Sequence, residues 1–354
     1  MSDALLAQLG IQYPIIQAPM AGTSTVALAA AVCNAGGLGS LGLGSSSVEQ
    51  ASLQIKALKL ATAKPFNVNF FCHQTLPDDA RQNRQWLDVL QPYFAELSAN
   101  PPDSITPAYA SFVDNHDMLS MLLAERPPVV SFHFGLPGPA FIDALQQAGI
   151  VLLGCATTLA EARAIVAAGL DGVIAQGYEA GGHRGVFVPE QDKKLGLFGL
   201  LQLLHHQCPL PVIAAGGIMH GQAIAQVLQM GASAAQLGTA FILCPESAAD
   251  AAYRTQLRST MAYDTGVTSV ISGRPARGLS NRMHQELGEY HASLPGYPMA
   301  YSAAKALHAV ASRQGCHDFA PYWAGQGAPL ARELPAKALM AQLIHEWQQA
   351  TFAI

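Results

Sequence analysis

Charge is scarce in this chain. Only 12% of its 354 residues are Asp, Glu, Lys or Arg, about half the share in an average soluble domain, whereas 50% are hydrophobic. So apolar a composition implies a large core with many elements buried on both faces. The net charge of −5 comes without any basic cluster. That excludes nucleic acid as the main partner, because gripping phosphates takes a concentrated basic surface. The six cysteines, Cys33, Cys72, Cys155, Cys208, Cys244 and Cys316, show no CxxC or ligand-like spacing. Their scatter argues against a metal site and fits buried thiols in a reducing cytoplasm. The opening residues Met1-Ser2-Asp3-Ala4 lack the basic and apolar regions of a signal peptide. The apolar stretch from Val26 to Gly44 is long enough for a bilayer, but Asn34, Gly36, Gly37 and Gly39 break it, so no membrane span is expected.

What is present is a repeated unit: an apolar strand, a turn and an Ala/Leu-rich helix. Strands are expected at Tyr13 to Met20, Leu38 to Leu43, Phe66 to Phe71, Val129 to Phe134, Val151 to Ala156, Gly172 to Gln176, Val212 to Ala215 and Ala234 to Leu237. Helices are expected at Thr25 to Asn34, Val48 to Ala61, about Asp78 to Leu97, Leu159 to Ala168 and Gln222 to Met230. Eight strands alternating with helices give a parallel sheet. Without a Rossmann fingerprint at the start, that sheet is expected to close into a (β/α)8 TIM barrel, an α/β fold. The barrel takes residues 1–247, with an insertion at about 98–128. Residues 248–354 form an extension expected to pack on the barrel and roof one end, with helices at Tyr301 to Ser312 and Pro335 to Thr351.

The scarcity of charge is uneven. No charged residue occurs from Ala4 to Val48 or from Leu195 to Pro245. On closure these first and last units become neighbours, and an outer barrel helix normally shows a charged face to water. Something is therefore expected to cover that seam, either the C-terminal helices or a second subunit.

Barrels place function at the C-terminal ends of their strands. Here those ends read Gln17-Ala18-Pro19-Met20, Asn67-Val68-Asn69, Ser131-Phe132-His133, Gln176, Ala215-Gly216-Gly217-Ile218 and Gln236-Leu237-Gly238-Thr239. Amides donate and accept without charge, which suits a heteroaromatic ring of alternating donors and acceptors, such as the pyrimidine half of a flavin. Gly216-Gly217, followed about twenty residues later by Gly238-Thr239, fits the phosphate site that barrels build after strands seven and eight. Together these point to bound FMN. After Gln176 the chain runs Gly177-Tyr178-Glu179-Ala180-Gly181-Gly182-His183-Arg184-Gly185. A glycine-rich loop with one histidine is often only a turn. At a strand tip beside a cofactor site, His183 reads instead as a group that exchanges protons near neutral pH.

QAPM at Gln17 to Met20, NAGGLGSLG at Asn34 to Gly42, PFNVN at Pro65 to Asn69, SFHFG at Ser131 to Gly135, QGYEAGGHRG at Gln176 to Gly185, and PVIAAGGI with QLGTAF resemble the nitronate monooxygenase family, class I branch. The likeness runs from about Ile11 through Trp323. It implies an FMN-dependent TIM barrel that oxidises alkyl nitronates, propionate 3-nitronate especially. One-electron transfer to the flavin and reaction with O2 release nitrite and an aldehyde or oxo acid. It further implies that Met20, Asn69, Gln176, Gly181, Gly217 and the run Gln236, Leu237, Gly238, Thr239 touch FMN, joining Gly216 from the phosphate reading. His183 matches the active-site histidine, and Tyr109, His133, Tyr297, Tyr301 and Lys305 match substrate-pocket positions.

Physically, His183 can hold nitronate oxygens when protonated or take a proton from a neutral nitroalkane when not. Lys305, four residues after Tyr301 and so on the same helical face, can attract an anion or simply be solvated. Tyr109 and Tyr297 can equally be packing aromatics, and His133 a core histidine. Arg274 and Arg277 can bind phosphate or fix the tail. The expected partners are a small anionic nitronate and O2, with no nucleic acid and no membrane, for a monomer or homodimer in the cytoplasm. The alternatives are an FMN-dependent NAD(P)H:quinone or enoyl-thioester reductase and a noncatalytic flavin-binding protein.

Overall fold

The structure is a computed structural model that describes residues 2–75, 77 and 79–352. Its strands are β1 (Ile15–Gln17), β2 (Gly39–Gly42), β3 (Phe66–Phe71), β4 (Val129–His133), β5 (Val151–Ala156), β6 (Gly172–Gln176), β7 (Gly182–His183), β8 (Val212–Ala215), β9 (Ala234–Leu237), β10 (Thr265–Thr268) and β11 (Ala276–Leu279). Eight of them form one parallel sheet in the order β1-β9-β8-β6-β5-β4-β3-β2. Leu38 then donates to Ile15 O at 3.0 Å and accepts from Gln17 N at 2.9 Å, closing β2 onto β1. The fold is a (β/α)8 TIM barrel.

The strands form where apolar runs were read, but the first is shorter. Tyr13 to Met20 contributes only Ile15–Gln17 to the sheet, because Pro14 and Pro19 lack the N–H that a ladder needs. The fourth strand stops at His133, since Phe134 has φ +73°. The helices are α1 (Ser2–Leu9), α2 (Val26–Asn34), α3 (Val48–Ala61), α4 (Ala80–Glu96), α5 (His116–Glu125), α6 (Pro139–Gln147), α7 (Leu159–Ala167), α8 (Leu197–Gln207), α9 (Gly221–Gln229), α10 (Ala251–Leu257), α11 (Arg282–Leu287), α12 (Met299–Arg313) and α13 (Ala336–Phe352). Sequence reading missed α1, α5, α6, α8, α10 and α11. The expected start of the fourth helix at Asp78 lies outside the described residues.

The region after β3 is arranged differently from expectation. The helix that packs beside α3 and α6 in the outer ring is α5, inside the supposed insertion. The longer α4 leaves the ring and packs on α12. Its Trp86, Leu87, Leu90 and Phe94 join Val270, Ile271, Met283 and Leu307 in a second hydrophobic core. That core unites α4 with the tail.

The charge-free seam is covered by α13. This helix packs along α9 and α2, burying Leu339, Met340 and Leu343 completely, each worth about 1.5–3 kcal/mol. The approach is close, as a Cβ on Gly221 would lie 2.5 Å from Leu343 O. Two carboxylates fasten it. Glu246 accepts from Ala336 N at 3.0 Å. Glu346 accepts from Gly221 N at 2.8 Å, at the start of α9, and pairs with Arg332 at 2.6 Å. Both acids sit where a helix N-terminus favours negative charge. Among the described residues no helix is long and apolar enough to cross a membrane.

Candidate active site

A cavity of about 320 Å³ opens at the C-terminal ends of the barrel strands. Met20, Asn69, His133, Gln176, Gly181, His183, Gly216, Gly217, Gln236, Leu237, Gly238 and Thr239 all line it, as do Tyr109, Tyr301 and Lys305. Tyr297 does not. It packs behind the wall, edge-on to the His183 ring with centroids 5.5 Å apart. Trp323 and Tyr253 of the tail, which the sequence did not single out, complete the lining.

Each polar strand end divides its hydrogen bonds between the scaffold and the cavity. Asn69 spends its Nδ2 on Ser131 O and Oγ, at 3.1 and 3.0 Å. Its Oδ1 has no partner among the described residues. Gln176 is more fully engaged: Oε1 accepts from Gly185 N at 2.7 Å and Nε2 donates to His183 O at 3.0 Å. Its amide therefore folds the His183 loop back over the strand that carries it. At the other side of the rim, Gly216 and Gly217 have φ of +128° and +67°, conformations that glycine alone adopts readily. The N–H groups of Gly217 and Gly238 make no hydrogen bond among the described residues. Thr239 Oγ1 accepts from Gly325 N at 3.0 Å, drawing the tail across the opening.

The His183 segment is not a free loop. As β7 it pairs antiparallel with β11 of the tail, His183 opposite Ala276 and Gly182 opposite Arg277, and β11 pairs in turn with β10. Arg184 beneath it is fully buried, bound to Asp192 at 2.9 Å and donating to Gly177 O at 2.8 Å. Arg274 and Arg277 fix this junction. Arg274 donates to Phe187 O at 3.1 Å and Arg277 to Tyr178 O at 3.1 Å, so both guanidinium groups are bound to main-chain carbonyls of the β6–α8 connection.

The ring of His183 is caged by Phe134, Tyr297, Tyr301 and Trp323, with centroids 5.3–6.0 Å away. Burial in that cage, together with the charges of His133, Arg274 and Lys305, lowers its pKa to about 3. The neutral imidazole is therefore the favoured form of the free protein at physiological pH. His133 is likewise neutral, its pKa lowered to about 4 chiefly by burial, and its Nε2 meets His183 O at 3.1 Å. It supports the loop and lines the cavity at once. Lys305 Nζ lies 4.6 and 4.7 Å from the ring centroids of Tyr109 and Tyr301. No carboxylate pairs with it among the described residues. Desolvation of its charged form lowers its pKa.

Comparison with known proteins agrees with this geometry. The profile of the nitronate monooxygenase family matches residues 2–346. A nitronate monooxygenase of Pseudomonas aeruginosa is 53% identical over 98% of this chain and 99% of its own. The solved nitroalkane oxidase of Streptomyces ansochromogenes is 39% identical and superposes with a TM-score of 0.90 over 99% of each chain. A FabK structure from Thermotoga maritima is more distant, at 27% identity and a TM-score of 0.73, over 99% of this chain and 97% of its own. The chain belongs to the nitronate monooxygenase family.

Proposed function

We propose that the cavity binds FMN and that the holoenzyme oxidises alkyl nitronates, propionate 3-nitronate among them, with O2, releasing nitrite and an aldehyde or oxo acid. The observation that carries this reading is the make-up of the rim. Unengaged glycine N–H groups stand on one side, uncharged amides in the middle, and a neutral histidine faces an unpaired lysine on the other. The fit to FMN rests on the same atoms. The N–H groups of Gly217 and Gly238, with Gly216 and Thr239, suit a phosphate. Asn69, Gln176 and Gln236 suit a ring of alternating donors and acceptors, with Met20, Gly181 and Leu237 supplying apolar and main-chain contact.

When bound, the flavin supplies the electron acceptor, and the protein supplies placement, electrostatics and exclusion of water. Lys305, on Tyr109 and Tyr301, attracts the anionic substrate toward the cavity. The aromatic cage around His183 shields all but its cavity side from water. The neutral imidazole offers a lone pair to the acidic C–H of a neutral nitroalkane without placing a second full charge beside Lys305. His133 and Tyr297 act from behind, holding the loop and the ring.

The purified protein should be yellow with a flavin spectrum, and propionate 3-nitronate should drive oxygen uptake with release of nitrite. Under anaerobic mixing the nitronate should bleach the flavin and NADH should not. Bleaching by NADH instead would assign a reductase, and turnover with neither would leave a flavin-binding protein.

A further inference from the structure

We propose that Ser272 fixes His183 as the Nε2–H tautomer, so that Nδ1 is the lone pair presented to the cavity. Ser272 is thus a positioning residue for the reaction, acting through His183, and this role rests on the functional reading above.

The argument is a count of protons. Ser272 is fully buried in the turn before β11. Its Oγ has three neighbours: His183 Nε2 at 2.9 Å, Arg274 O at 3.0 Å and Arg274 N at 3.3 Å. A carbonyl oxygen can only accept and a backbone N–H can only donate, while a hydroxyl has one proton to give. That proton belongs to Arg274 O, because turning it toward the histidine would leave two oxygens facing each other at 3.0 Å with nothing between them. The remaining contact is therefore Nε2–H donating to Ser272 Oγ. A neutral imidazole carries one N–H, so Nδ1 is the acceptor.

Nδ1 is also the nitrogen in open space. It makes no hydrogen bond among the described residues, and it is not sealed from solvent as the unpartnered Nδ1 atoms of His73 and His308 are. The space beside this ring is the cavity. The backbone reinforces the orientation. Ring and serine are carried by the two segments joined in the β7–β11 pairing, where His183 sits opposite Ala276 and Arg184 N donates to Pro275 O at 2.8 Å. Sequence offers one faint signal, since Ser272 stands two residues before Arg274.

The test begins with the unaltered holoenzyme labelled with 15N-histidine, using His183→Asn to assign the resonance. Long-range 1H–15N correlation should show His183 protonated at Nε2 and bare at Nδ1. A ring protonated at Nδ1 would overturn the proposal whatever the activity proves to be. Ser272→Ala should then give a mixed tautomer signature. It should lower kcat/KM for a neutral nitroalkane, which must lose a proton, at least tenfold more than for the matching nitronate, which has none to lose. Ser272→Thr, keeping the hydroxyl, should restore the wild-type signature. Equal losses on both substrates, with the Nε2–H pattern unchanged in Ser272→Ala, would reduce the serine to packing. If neither substrate turns over in the wild type, the functional reading fails, while the resonance still decides the tautomer.

Discussion

The two ends of the barrel are built from the same strands and differ in kind. At the N-terminal end, α1 lays Leu5 and Leu9 against Ile16, Leu38, Val129, Leu153, Ile174 and Ile213, all buried. Gln8 ties that helix to Asp171 at 2.8 Å. At the opposite end the strands finish in Asn69, Gln176, Gln236 and paired glycines around open space. Within one strand the change takes two or three residues: β6 runs from Val173 and Ile174 to Gln176. One end is a plug and the other a receptor, and the plug leaves the receptor free to carry groups that contribute little to folding. Substitutions at the two ends should therefore separate stability from turnover.

The largest effect should come from His183→Ala. Turnover of a nitronate, followed by oxygen uptake, should fall about 10²–10⁴-fold, while flavin content and thermal unfolding stay near wild type. Full activity would refute its role. At the plug, Leu5→Ala should cost about 2–5 kcal/mol in urea unfolding, with kcat of the folded enzyme unchanged. A comparable loss of kcat would mean that the ends are mechanically coupled.

At the covered seam, Glu346→Gln should cost about 1–3 kcal/mol. Burial alone would raise the Glu346 carboxyl, but Gly221 N–H and Arg332 outweigh it and hold it below its usual range. A depressed carboxyl adds stability that is complete above the unfolded value, near ~4.3, and lost as pH falls through the folded value. The gap between wild type and the Glu346→Gln variant should accordingly close on acidification, and a gap independent of pH would contradict this. The smallest effect belongs to Lys305→Met, which should raise KM for an anionic nitronate about three- to tenfold with kcat nearly constant. Added salt should narrow that difference.

The strands and the cavity lining were legible because each depends on local pattern. β-branched runs mark Val173 and Val212, and amides or glycines at strand ends mark Asn69, Gln236 and Gly217. What was not legible depends on partners distant in sequence. The length of α4 resembled a ring helix, yet its Trp86 and Phe94 find their core on α12, over two hundred residues away. β7 is two residues long, too short for any period, and exists only because β11 pairs with it. Tyr297 shares the chemistry of Tyr301 but reaches the His183 ring from behind the wall, a difference of side that composition does not encode. Ser272 looks like any turn serine until the fold sets it 2.9 Å from His183.

The pairing of β7 with β11 has one more consequence. It welds the imidazole to its own ceiling, so the ceiling cannot lift without dislodging the His183 ring. Grafting a foreign tail onto this barrel would therefore exchange the strand that holds His183 together with the cover.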